Sequence, residues 1–132
     1  MTLGVVIAVG LGGAAGSVLR VWLDGRLAPP HPFRIPRGTL LVNVLGSLVL
    51  GAAIGASGSL GLGHAVQTMV AAGLCGGLST YSSLAVATAS LWREDRRWAA
   101  LLNLSLNVLL GWGGAAVGLT AAAWMTWRLA GG

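Results

Sequence analysis

Five hydroxyl-bearing side chains stand in a row inside an apolar stretch: Ser79, Thr80, Tyr81, Ser82 and Ser83. Gly76, Gly77 and Leu78 precede them, and no Asp, Glu, Lys or Arg lies anywhere between Gly38 and Trp92. The other strong polar groups in apolar surroundings are the amides of Asn43, Asn103 and Asn107. Hydroxyl O–H and amide N–H groups donate hydrogen bonds without titrating near neutral pH. That inventory suits holding an anion; it does not suit making or breaking bonds. The three acids, Asp24, Glu94 and Asp95, fall in loops or at their edges, so no carboxylate pair is available and no enzyme is expected. The single cysteine, Cys75, excludes an intramolecular disulfide and a multi-Cys metal site, and reads as a small buried residue.

The same residues are a poor recipe for a continuous helix. Glycine costs roughly 1 kcal/mol per position relative to alanine, and Ser and Thr compete for backbone hydrogen bonds. Residues 76–80 are therefore expected to interrupt their helix. At membrane depth an irregular backbone survives only where protein or water satisfies it, and discontinuous helices of this kind carry ion sites in transport proteins. A helix restarting after Thr80 would aim its positive end at the break, favouring an anion. The loose end of the preceding half-helix would present free carbonyls, favouring a cation.

The elements that must position this cluster are membrane helices. Of 132 residues, 55% are hydrophobic and 8% charged, where a soluble domain carries about 25% charge. Mean hydropathy is +0.81. Four spans are expected, over residues 2–23, 38–56, 64–92 and 98–127, forming one transmembrane domain with the break in the third. The first apolar run is glycine-studded and lacks a basic leader, so it reads as a span and not as a signal peptide. Four prolines, Pro29, Pro30, Pro32 and Pro36, keep the first loop from being a helix. A short uncharged turn over 57–63 joins the second and third spans, with His64 at the interface as an exposed neutral imidazole. Trp92, Trp98, Trp124 and Trp127 fall at span ends, where aromatic belts form.

All eight basic residues are arginines, giving a formal net charge of +5, yet they form no stripe and so do not point to nucleic acid. Arg26, Arg34, Arg37, Arg93, Arg96 and Arg97 lie in the first and third loops, with Arg20 at the membrane edge and only Arg128 at the opposite end. This bias places loops one and three in the cytoplasm and both termini outside. The run Gly10-Leu11-Gly12-Gly13-Ala14-Ala15 matches a dinucleotide fingerprint in letters alone: no strand–helix alternation follows, and Asp24 comes too early. Close helix packing is the better use of those glycines. Gly12/Gly16, Gly51/Gly55, Gly73/Gly77 and Gly114/Gly118 are each four apart, but with 22 glycines in the chain such spacing arises as often by chance.

Three function classes fit a small four-span protein. A proton-coupled exporter of cations needs a carboxylate within the membrane, and this chain has none in its spans. An ion channel needs polar lining, which Asn43, Thr80, Tyr81, Ser83 and the two later asparagines supply. A partner subunit with no conducting pore of its own is the third. Asn43 itself has two readings at this stage, a pore-facing donor or an interhelical tie worth around 0.6 kcal/mol.

Three motifs, taken together, narrow the choice. Gly12-Gly13-Ala14-Ala15-Gly16-Ser17-Val18-Leu19-Arg20, Gly38-Thr39-Leu40-Leu41-Val42-Asn43 and Gly73-Leu74-Cys75-Gly76-Gly77-Leu78-Ser79-Thr80-Tyr81-Ser82 occur in this order. In sequence, spacing and layout the chain resembles the CrcB/Fluc fluoride channel family over nearly its whole length. The resemblance implies an all-α membrane protein assembled as an antiparallel dimer, with two fluoride pores and a structural, untransported sodium ion on the dimer axis. It implies that backbone carbonyls of Gly76 and Ser79 hold the sodium, serine standing where threonine is usual. It also implies that Asn43, Thr80 and Ser83 line the pore, and that Arg20 lies in a vestibule. A snorkelling cation at a helix end is the alternative reading of Arg20. The expected function is passive efflux of cytoplasmic fluoride, which lowers its toxicity, and the expected location is a bacterial cell membrane, since all-Arg, Gly/Ala-rich usage suits a GC-rich genome.

Two positions depart from the family pattern. Where the family has two phenylalanines whose positive ring edges lie against the fluoride path, this chain has Tyr81 and Leu84. Tyrosine keeps an edge and adds a hydroxyl; leucine has no quadrupole. The arginine bias is the second departure, because a chain pairing head to tail with itself must insert both ways. Both departures fit a subunit whose oppositely oriented partner is a homologue from a second gene, pairing with a second copy of itself being the alternative.

Overall fold

The computed structural model describes residues 2–27, 35–61 and 63–131. Pro29, Pro30, Pro32 and Arg34, and the side chain of His64, lie outside the described residues. Helix α1 spans Leu3–Arg26 and α2 spans Arg37–Leu60. The third crossing is built from α3 (His64–Thr68), a π-helical stretch (Met69–Cys75), α4 (Gly76–Leu78) and, past a break, α5 (Tyr81–Arg93). Helix α6 spans Arg97–Leu129. Four of these segments are long and apolar enough to cross a membrane.

Several ends fall beyond their expected positions, for local reasons. Helix α1 runs on through Asp24 to Arg26, and Asp24 packs against Gly38 at the start of α2. Helix α2 continues past residue 56 because Ser57 bonds back to the Ile54 carbonyl at 2.7 Å, and Gly61 then closes it in the left-handed conformation. Pro36, in extended conformation, precedes the first turn of α2. Asp95 makes the turn between α5 and α6 with φ of 56°, a conformation that short polar side chains tolerate. Arg26 stacks on Trp22, Arg97 on Trp92 and Arg128 on Trp124, at 4.8, 5.6 and 4.8 Å from the ring centres. Each pair sits at a helix end, where a guanidinium over an indole marks the interfacial depth.

The bundle is made of two glycine-stitched pairs. Helix α1 lies along the first half of the third crossing, and α2 lies along α6. In the first pair a Cβ on Gly73 would come within 2.8 Å of the Val9 carbonyl oxygen, and one on Gly12 within 2.9 Å of the Met69 carbonyl oxygen. Gly16 and Gly77 meet the backbones of Leu74 and Gly13 more closely still. In the second pair Gly51, Gly55 and Gly118 press on the backbones of Ala115, Leu119 and Leu48, and Gly114 faces the Val44 carbonyl. All eight paired glycines therefore sit at contacts, which their count in the sequence did not distinguish from chance. The run at Gly12 and Gly13 packs helices and opens no nucleotide fold.

The π-helical stretch had no sequence signal. It lies against α1, with Gly12 close to Met69 and Leu74, and π-helical turns appear mostly as short insertions in α-helices, often at functional sites.

Gly118→Leu is expected to destabilise the folded protein by about 1–3 kcal/mol or more through overpacking. Gly113 has open space around it, so Gly113→Ala is expected to be neutral or stabilising by up to roughly 1 kcal/mol. Thermal unfolding in detergent, read by loss of the monodisperse species, separates the two.

Candidate functional site: a broken helix held by an asparagine

Ser79 and Thr80 leave the helix in extended conformation, with φ/ψ of −73°/153° and −146°/113°. The expected break is therefore present, at the last two residues of 76–80, while Gly76, Gly77 and Leu78 remain helical. Ser79 N–H and Ser79 Oγ–H both donate to the Cys75 carbonyl, at 2.9 and 2.8 Å, closing the first half-helix. Thr80 then starts the second half. Its Oγ1 accepts from Ser83 N–H at 3.1 Å, the bond of a helix N-cap.

What keeps the Thr80 peptide out of the helix is Asn43. Thr80 N–H donates to Asn43 Oδ1 at 2.8 Å, and Asn43 Nδ2–H donates to the Thr80 carbonyl at 3.3 Å. One side-chain amide thus replaces both backbone partners that a helix would have supplied. Because an N–H can only donate, the Thr80 peptide also fixes which way round the amide lies. The remaining bonds follow in sequence. Asn43 Nδ2–H donates to Asn107 Oδ1 at 2.9 Å, Asn107 Nδ2–H to the Asn103 carbonyl at 2.9 Å, and Asn103 Nδ2–H to Thr88 Oγ1 at 2.9 Å. A directed chain of amides crosses from α2 over α6 to α5. Asn103 is fully buried, and no buried side-chain polar atom among the described residues lacks a partner.

The break leaves two kinds of group available. Thr80 N–H, which a continuous helix would give to the Gly76 carbonyl, goes to Asn43 Oδ1 instead. Gly76 is exposed, and a Cβ there would meet nothing within 4 Å, so its peptide lies on an outer face of the bundle. On the other side, Asn43, Ser47, Ser79, Thr80, Tyr81, Leu84, Asn107 and Val108 line an open cavity of about 260 Å³. Thr80 Oγ1 donates to Ser83 Oγ and lies 3.1 Å from Ser82 Oγ, which joins the hydroxyls into one network at the head of α5.

Of the site residues expected from sequence, Asn43, Ser79, Thr80, Tyr81 and Leu84 meet at this cavity, and Ser83 joins it through Thr80. Gly76 lies one turn away on the exposed face, and Arg20 is on α1, which contributes nothing to the cavity lining. Leu84 is buried at 8% exposure, whereas Tyr81 is 82% exposed. Ser47 and Asn107 complete the lining; Ser47 lies four residues after Asn43 on the same helix face, and that spacing was the available signal. Among the described residues no group of three or more His, Cys, Asp or Glu comes together.

Residues 7–119 match the sequence pattern of the family described as CrcB-like protein, Camphor Resistance (CrcB). The chain belongs to the CrcB/FluC fluoride channel family. Among its relatives is the fluoride-specific ion channel FluC of Renibacterium salmoninarum, 42% identical over 125 residues that cover 90% of this chain and 99% of that protein. The FluC of Cronobacter sakazakii is 41% identical over 79% of this chain and 82% of its own, and that of Pyrococcus furiosus 42% identical over 83% and 88%. The family consists of channels, not enzymes, in keeping with a site that has donors and carbonyls but no titrating group.

Asn43→Leu is expected to orphan both the N–H and the carbonyl of Thr80, at about 1–3 kcal/mol for each buried group. Asn107→Leu orphans one Asn43 hydrogen and should cost less. Because the two share one bond, the double variant should cost less than the sum of the single ones in denaturant titrations of the purified protein.

Proposed function

We propose that the chain is a subunit of a fluoride channel that lets fluoride leave the cytoplasm passively and so limits its toxicity. The observation that carries this reading is a broken helix beside a cavity lined by amides and hydroxyls, in a chain about 40% identical to proteins named fluoride-specific channels. Fluoride is small and strongly hydrated, so a path for it must replace water with several donors. Asn43, Thr80 and Ser83 flank such a path; both Asn43 amide hydrogens are given to the Thr80 carbonyl and Asn107 Oδ1, so donation to the ion falls to the Thr80–Ser83 hydroxyl network and the positive end of α5. Tyr81 offers a ring edge and a hydroxyl. Arg20, with no part in the cavity, is assigned to the vestibule as an attraction for anions. No carboxylate lies at the site to couple the movement to protons.

The carbonyls of Gly76 and Ser79 fit a hard cation such as sodium, which takes oxygen ligands. Two carbonyls from one chain are too few for such an ion, and the exposed position of Gly76 suits a second protomer supplying the same pair. An antiparallel dimer brings two copies of the break together. It would also cover Tyr81, which otherwise exposes its hydroxyl at mid-membrane depth. The ion would hold the two protomers in register and would not be transported. The assembly sits in the cell membrane with loops one and three in the cytoplasm; relatives in both Renibacterium and Pyrococcus carry the same name, so the family is not confined to bacteria.

A second reading is favoured by Leu84. It lines the cavity where a ring edge would serve the anion, and the arginine bias favours one orientation of insertion. On this reading the chain pairs with an oppositely oriented homologue, and the pore using Leu84 conducts poorly.

Liposomes loaded with potassium fluoride test both. The chain alone is expected to release fluoride but not chloride, and replacing sodium by a bulky organic cation during preparation is expected to abolish release. Leu84→Phe should raise the rate several-fold, the effect of about 0.5–1.5 kcal/mol from an aromatic edge. Release that appears only with a co-purified homologue selects the second reading. Absence of fluoride release in both arrangements contradicts the function.

A further inference from the structure

A second cavity, of about 600 Å³, opens at the arginine-rich end of the bundle, between the starts of α2 and α6. Arg37 and Arg96 stand at its mouth with Trp98, and Leu40, Leu102 and Leu106 form its wall. No acidic side chain lines it. Among the described residues neither arginine is paired with a carboxylate, the ion pair nearby being Arg97 with Asp95 at 3.7 Å. Both helices also begin here without a side-chain cap or an acid in the first turn, which adds positive potential to the same mouth.

The groove is not part of the ion path. It shares no lining residue with the cavity at Asn43, and its wall toward the membrane centre is hydrocarbon, where a small hydrated anion gains nothing. Charge at the mouth and hydrocarbon along the wall match one kind of molecule. We infer that this groove binds a single anionic phospholipid, its phosphate held by Arg37 and Arg96 and the start of an acyl chain lying on Leu40, Leu102 and Leu106. Guanidinium forks pair with phosphate oxygens through two parallel bonds. Trp98, 85% exposed, sets the depth, since indoles settle at the headgroup layer. The lipid would bridge the starts of α2 and α6, helices already joined along their glycine seam.

The test is native mass spectrometry of the purified protein titrated with phosphatidylglycerol, with phosphatidylcholine as the zwitterionic control. Phosphatidylglycerol should bind as a discrete one-per-chain adduct and phosphatidylcholine only weakly. Arg37→Gln with Arg96→Gln should weaken phosphatidylglycerol binding roughly tenfold or more, two interfacial charges being lost. Arg26→Gln with Arg93→Gln removes the same charge from the same end and should leave binding unchanged. Ala99→Phe narrows the groove while keeping both arginines, and should weaken binding too. Equal losses in the two charge-matched double variants would show general surface attraction and overturn the inference. So would binding untouched by Ala99→Phe, phosphatidylcholine binding equal to phosphatidylglycerol, or inorganic phosphate displacing the lipid.

Discussion

The structure depends on one side chain doing a backbone's work. Asn43 takes the N–H and the carbonyl of Thr80 at once, and no hydrocarbon side chain could. In a membrane a peptide group outside a helix must find its partners within the protein. Asn43 provides them from a neighbouring helix, so the third crossing can be interrupted without leaving the Thr80 peptide exposed to lipid. Its amide is committed in turn to Asn107, and through Asn107 and Asn103 the tie reaches Thr88 on α5, beyond the break. The second half of the broken helix is thereby fastened to the continuous pair α2 and α6, while the first half packs on α1.

Asn43 is an interhelical tie, and it lines the cavity beside the hydroxyls. The two roles are one, because an amide that holds a peptide out of its helix necessarily stands where the helix is open. The same opening separates charge. Carbonyl oxygens collect at the end of the first half-helix and N–H groups at the start of the second, so donors and acceptors are set apart by a single local event.

Much of this was legible in the letters. Glycines followed by consecutive hydroxyl residues located the break, and Thr80 is a residue type that favours the cap it makes. The absence of charge from Gly38 to Trp92 marked the spans. Less legible were features set by what touches what. The π-helical stretch lies against α1 at Met69 and Leu74, and nothing within 69–75 announces it. Asn107 lay on a recognised polar face of α6, but its bond to Asn43 joins residues 64 apart. The glycine pairs were visible yet uninformative until their backbone contacts showed that all of them are used. Helix ends drifted by a few residues where Ser57 and Gly61 carried α2 further than hydropathy suggested.

Tyr81 and Leu84, the positions where the resemblance implied phenylalanines, differ most in their surroundings. Tyr81 is almost wholly exposed and Leu84 almost wholly buried, although they lie one turn apart on α5. Leu84 is packed by the chain's own helices, and Tyr81 is not.

Solid-state nuclear magnetic resonance of the protein in lipid bilayers, measuring the separation of the Thr80 amide nitrogen from the Asn43 side-chain carbonyl carbon, tests the central claim most directly. The account predicts dipolar coupling strong enough for a direct hydrogen bond, lost in Asn43→Leu. A Thr80 nitrogen coupled instead to the Gly76 carbonyl, as in an unbroken helix, would contradict it.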